Sequence, residues 1–239
     1  MTLYCKWISV LAVTGFSFHL APWIVAQELG GGLGGTKENL DLPFDARGES
    51  EEEEDAPEIV TFYGEQFEGD GMFYVIDRSS SMGNRGELAI AKREIFQNIA
   101  EFSSRVQFGI VFFDANVIKF PSSGQPAEAN PAMKASATSF VSSVPGGGGS
   151  CCQQGLMAAL QMANRASSKR KVLVYLGDGR GHCQGANEAQ YLAATLAAVT
   201  AGNYQRVQVN CIMVLDVTTT GEDFLKKLAA SNGGTYTVK

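Results

Sequence analysis

The sequence predicts an α/β protein: a doubly wound, mainly parallel central sheet flanked by helices, preceded by a disordered acidic linker. Three observations carry this expectation. Apolar runs rich in Val, Ile, Phe and Tyr read as continuous rather than alternating, as strands covered on both faces do. Segments with apolar residues every three or four positions lie between them, as helices laid on such a sheet require. The chain of 239 residues is 45% hydrophobic and 18% charged, enough for one domain with a substantial core and too little for a second.

The first segment, MTLYCKWISVLAVTGFSFHLAPWIVAQE, has a lone Lys6, an apolar run from Trp7 to Phe18 and small residues before Gln27. That is the layout of a secretory signal peptide over residues 1–26, with Ala26 the last residue removed. The run falls short of the roughly 20 apolar residues a membrane span needs, so membrane association is expected only if the leader stays uncleaved. Residues 27–57 turn glycine-rich and then acidic, with an unbroken acidic run from Glu51 to Asp55. Such a stretch buries too little apolar surface to offset its ordering entropy and reads as a tether. Its GxGxxG at Gly30, Gly32 and Gly35 has no strand before it and no amphipathic helix after it, which removes a dinucleotide reading.

A single domain is expected over residues 58–239. Its strand candidates are Met72 to Ile76, Val106 to Phe113, Val172 to Leu176 and Val207 to Leu215. Helical spacing links Leu88, Ala91, Ile95, Ile99 and Phe102, then Leu156, Leu160 and Ala163, then Leu192, Leu196 and Val199. Phe224, Leu225 and Leu228 suggest a last short helix. VIKFP, turned back through DAN, is expected to add an antiparallel edge strand, and NGGTYTV a turn and a final edge strand.

A net charge of −6 without clustered Lys and Arg argues against nucleic acid and makes a cation the more natural ligand. In open parallel sheets, ligands sit beyond the carboxyl ends of the strands where the strand order reverses. DRSSSM, PGGGGSCCQQG and GDGRGHC are the loops expected on that rim. Together they supply the carboxylates of Asp77 and Asp178 and the hydroxyls of Ser79, Ser81 and Ser150. Hard divalent cations choose such oxygens; Mg2+ is expected, with Mn2+ or Ca2+ as alternatives. Asp77, Ser79 and Ser81 alternate, so in an extended turn they project the same way. Each residue alone is as readily a helix or turn cap. All five in this arrangement favour a metal site.

These motifs resemble the von Willebrand factor type A domain carrying a metal-ion-dependent adhesion site. That family has DxSxS after its first strand, a Thr in a glycine-rich loop and an Asp in a TDG turn; DRSSS, GGS and LGDGR match in that order. The match covers the chain from about residue 58 to its end. The resemblance implies that Ser79, Ser81 and Ser150 bind the ion directly and that Asp77 and Asp178 act mainly through water. It also implies that a partner protein's carboxylate fills the open position. Ser150 departs from the usual Thr but keeps a hydroxyl on a more mobile side chain. Gly177 replaces the Thr that often precedes the last Asp, and Ser80 stands where Gly is common. Arg78 and Arg180 are expected at the ligand rim, where Arg78 lowers metal affinity or attracts an anionic partner.

Loss of the leader removes Cys5 and leaves Cys151, Cys152, Cys183 and Cys211, an even number in an exported chain. A bridge from Cys183 to Cys151 or Cys152 would staple two of the site loops, while Cys211, inside VNCIMV, reads as a buried free thiol. Zinc on His182, Cys183, Cys151 and Cys152 fits poorly, because adjacent cysteines lack the usual ligand spacing. No GxSxG or HExxH motif is present, and the only histidines are His19 and His182, so an enzyme is not expected. The expected function is a secreted or extracytoplasmic binding module that captures a protein through its cation. The alternative is a structural or assembly component whose metal mainly stabilises the domain or a larger complex.

Overall fold

The computed structural model describes residues 57–215 and 218–239. The expected leader, and all of the tether but Pro57, lie outside the described residues. In chain order the elements are β1 (Ile59–Phe62), β2 (Glu65–Glu68), β3 (Gly71–Asp77), α1 (Ser80–Asn84), α2 (Glu87–Glu101), β4 (Gln107–Phe113), β5 (Val117–Phe120) and β6 (Ala127–Glu128). Then follow α3 (Pro131–Ser143), α4 (Cys152–Arg165), β7 (Lys171–Gly177), α5 (Glu188–Gly202), β8 (Gln208–Met213), α6 (Thr219–Ser231) and β9 (Tyr236–Val238).

The main sheet runs β5-β4-β3-β7-β8-β9, with β6 also pairing with β4. Its inner pairs and β8 with β9 are parallel, whereas β5 and β6 lie antiparallel to β4. The mainly parallel sheet and both edge strands read from the sequence are therefore present. All of β3 is buried, which is why its sequence shows no alternation. Met72, Tyr74 and Ile76 face a core shared with Ile95 and Ile99 of α2 and Val141 of α3. Phe73 and Val75 face the other core, with Leu156 and Leu160 of α4, Leu192 of α5 and Leu225 of α6.

This layering places the site. The chain leaves β3 for α2 on one face and leaves β7 for α5 on the other, yet β3 and β7 are neighbours in the sheet. The two connections part between these strands, which makes their carboxyl ends the switch point. Asp77 ends β3 and Asp178 follows β7.

Two features lie outside the apolar pattern. Helix α3 buries only Ala137 and Val141 along PAMKASATSFVSS, so periodicity cannot reveal it. Its signal is local: Asn130 accepts a capping bond from Met133 N, and Pro131 opens the first turn. The β1–β2 hairpin turns through Tyr63 and Gly64, both at positive φ. Asn98 pins it from α2, donating to Thr61 O at 2.7 Å while accepting from the buried Tyr74 hydroxyl at 2.7 Å.

Candidate metal centre

Strand β3 delivers Asp77 to the rim fully buried, and the chain then turns so that Ser79 N donates to Asp77 Oδ1 at 2.7 Å. Ser79 occupies the N-cap position of α1, yet its side chain makes no capping bond. Its hydroxyl instead lies 3.1 Å from Ser81 Oγ, and Ser81 Oγ donates to Asp178 Oδ2 at 2.7 Å. Ser150 comes from the glycine loop before α4; its Oγ is 3.1 Å from Asp77 Oδ2 and 2.8 Å from Arg180 O. A hydroxyl has a single proton, so these two acceptors compete for it. Asp178 serves a turn as Asp77 does, accepting from Arg180 N at 3.0 Å through Oδ1. The structure thus brings all five predicted oxygen-bearing side chains into one hydrogen-bonded cluster. Ser80 also borders the cavity at this site, but its hydroxyl donates to Gly148 O at 3.2 Å rather than to the cluster.

Burial is the main reason the Asp77 carboxyl is pushed up to about 7; hydrogen bonds from Ser79 hold the shift back and the like charge of Asp178 adds to it. A divalent cation would reverse both destabilising influences at once. The donor set is all oxygen, two carboxylates and three hydroxyls, and so fits a hard cation. It opens into a cavity of about 120 Å³ lined by Ser79, Ser81, Gly148, Asp178, Arg180 and His182, among others. The larger depression between α5 and α6 gathers no comparable set of ligands.

The readings of Arg78 and Gly177 change, and that of Arg180 does not. Arg78 is not at the rim: it is only 8% exposed, pairs with Asp114 Oδ1 at 3.0 Å and donates to Pro145 O at 3.0 Å. Its charge is buried and paired with a carboxylate within the fold. Arg180 does line the cavity, with Nε 3.8 Å from Asp178 Oδ2. Gly177 is required sterically, since a Cβ there would come within 2.8 Å of Asp77 Cβ and 2.9 Å of the Tyr175 hydroxyl.

Cys151 and Cys183 form a disulfide with Cα atoms 4.6 Å apart, joining the glycine loop to the loop after β7. This settles which of the adjacent cysteines pairs and removes two of the zinc candidates. Among the described residues no group of three or more His, Cys, Asp or Glu converges on a metal position. Cys152 and Cys211 are buried free thiols. Burial first, and then the Asp77 charge, push the Cys152 thiol up to about 12, so it is unreactive in the fold. Asp114 was not among the predicted residues. The signal for it was present: a carboxylate directly after the buried strand beside β3, on the same rim as Asp77.

Residues 72–180 match the von Willebrand factor type A domain. That interval carries every one of the five clustered side chains. Solved structures share the type A fold. One is the von Willebrand factor type A protein from Catenulispora acidiphila, 22% identical over 71% of this chain and 38% of that one, with a TM-score of 0.61. Another is the pilus adhesin SpaC from Lactobacillus rhamnosus GG, 16% identical over 71% of this chain and 28% of that one, at 0.54. A third is proximal thread matrix protein 1 from the mussel byssus, described with a zinc-occupied metal-ion-dependent adhesion site. It is 20% identical over 70% of this chain and 41% of that one, at 0.51. The chain therefore spans well under two thirds of these proteins. No curated protein matches it.

Proposed function

We propose that this chain is an extracytoplasmic binding module in which Asp77, Ser79, Ser81, Ser150 and Asp178 hold a divalent cation and a partner protein's carboxylate completes its coordination. The observation that carries this reading is the donor cluster itself. Ser79 forgoes its cap, and a buried Asp77 is held against a second carboxylate, an arrangement that stability alone does not favour. Mg2+ suits the site best, because the ligands are few, hard and oxygen-only and leave room for water. Ser79, Ser81 and Ser150 bind directly, while Asp77 and Asp178 act through water and balance the charge. Arg180, beside Asp178 on the cavity wall, faces the incoming carboxylate. The pilus adhesin and the byssal protein support an adhesive or assembly role for this fold, and the reading assigns the site no catalytic step. Secretion through residues 1–26 would bring the domain to such partners.

The test is capture of a partner from extracellular matrix or envelope extracts, in Mg2+ and in EDTA, with Asp178→Ala as the second arm. Capture lost in EDTA and in the variant supports the reading. Capture that survives both, accompanied by a fall in melting temperature, would instead identify the metal as structural.

A further inference from the structure

The glycine loop has little of its own to hold it, yet it must present Ser150 at a fixed point. Positive φ at Gly147 and Gly148 gives it a shape that other residues rarely adopt. Ser80 and the Cys151–Cys183 bridge tether it at Gly148 and Cys151, Ser150 N donates to His182 O at 3.0 Å, and a further hold comes from the buried pair of Arg78 and Asp114, respectively 8% and 6% exposed. The Arg78 guanidinium donates to Pro145 O, and Arg78 O accepts from Gly147 N at 2.8 Å. Asp114 O accepts from Cys151 N at 2.8 Å, and its carboxylate packs so closely on Gly148 that a Cβ there would lie 2.6 Å from Oδ2. The loop is gripped before Ser150 by one residue and around it by the other. Both grips start from adjacent strands: Arg78 N donates to Phe113 O at 2.9 Å, and Asn116 N donates to Asp114 Oδ1 at 2.7 Å.

We propose that the Arg78–Asp114 pair is the positioning device of the cation site, holding the glycine loop so that Ser150 meets Asp77, and thereby setting cation affinity. A buried ion pair adds little stability over an apolar pair of similar size, so its placement beneath a ligand-bearing loop is better accounted for by geometry. The pair is also neutral, which fixes the loop without placing net charge beside the ion. The inference rests on the cation reading proposed above.

The test uses the full chain, Mn2+ as probe, and the double variant Arg78→Met/Asp114→Asn, which removes both charges but keeps an acceptor for Asn116 N. In EDTA its melting temperature is expected to stay close to that of the parent. Its Mn2+ dissociation constant is expected to rise at least about tenfold, as when a ligand's supporting residue is lost. Amide exchange at residues 147–151 is expected to quicken in the metal-free state. A folded double variant whose Mn2+ affinity stays within about twofold of the parent overturns the proposal. Should the double variant not fold, Arg78→Lys, which keeps the charge and cannot span both Asp114 and Pro145, must still weaken Mn2+, and unchanged affinity there is equally fatal. Absence of Mn2+ binding by the parent marks failure of the cation reading itself. In that case unchanged exchange at residues 147–151 in the variants separately rejects the grip on the loop.

Discussion

Replacing Asp77 with Asn should make the metal-free protein more stable and the metal-bound protein impossible to form. The folded chain raises the Asp77 carboxyl from an ordinary 3.8 to about 7. Between those values the folded state binds its proton more tightly than the unfolded state, so stability falls as pH rises and levels off above the folded value. Integrated over that interval, the loss is about 4 kcal/mol. Asn keeps the acceptor for Ser79 N and can donate to Ser150 Oγ, so the substitution removes the charge with little change in shape. In EDTA, urea unfolding of the two proteins should agree near pH 4 and diverge by about 4 kcal/mol in favour of the variant near pH 8. For a domain of this size that amounts to a melting-temperature gap on the order of 10 °C. Saturating Mg2+ should reverse the order, because only the parent gains binding energy. A variant no more stable than the parent near pH 8 in EDTA would refute the reasoning, since the buried charge would then cost nothing.

Other outcomes follow from the same geometry. Opening the Cys151–Cys183 bridge with Cys151→Ala/Cys183→Ala should lower stability in urea by about 3–4 kcal/mol, from a closed loop with a sequence separation of 32. Peptide mapping after alkylation should find Cys152 and Cys211 unlabelled in the native protein and labelled in denaturant. Ser150→Thr should keep Mn2+ binding, as the hydroxyl remains on a stiffer side chain, whereas Ser150→Ala should weaken it about tenfold or more. Asn130→Ala should cost about 1 kcal/mol of stability by uncapping α3 and leave cation affinity alone.

How much of this was legible in the sequence depended on whether a signal was local or came from assembly. The apolar runs of β3, β4, β7 and β8 announced a buried sheet because both faces of it are covered. The five ligand candidates were legible because each sits where a strand ends or a helix begins at the switch point. Helix α3 was hidden, since it buries too few apolar side chains to create a period, and only its Asn-Pro start marks it. Arg78 was misplaced for a different reason. Its neighbours Asp77 and Ser79 face the site, but Arg78 points back toward Asp114, a carboxylate 36 positions away that only the parallel pairing of β3 with β4 brings alongside. The choice between Cys151 and Cys152 likewise turned on the helix: Cys152 begins α4 and points into the core, leaving Cys151 at the rim for Cys183.

The central claim, that these five side chains form a cation site, is tested most directly by isothermal titration of the chelator-stripped protein with Mg2+ and Mn2+. Parent protein should bind one ion of either kind, with uptake accompanied by proton release below about pH 7 and abolished in Asp77→Asn. Absence of any binding heat at millimolar metal, in protein shown to be folded, would contradict it.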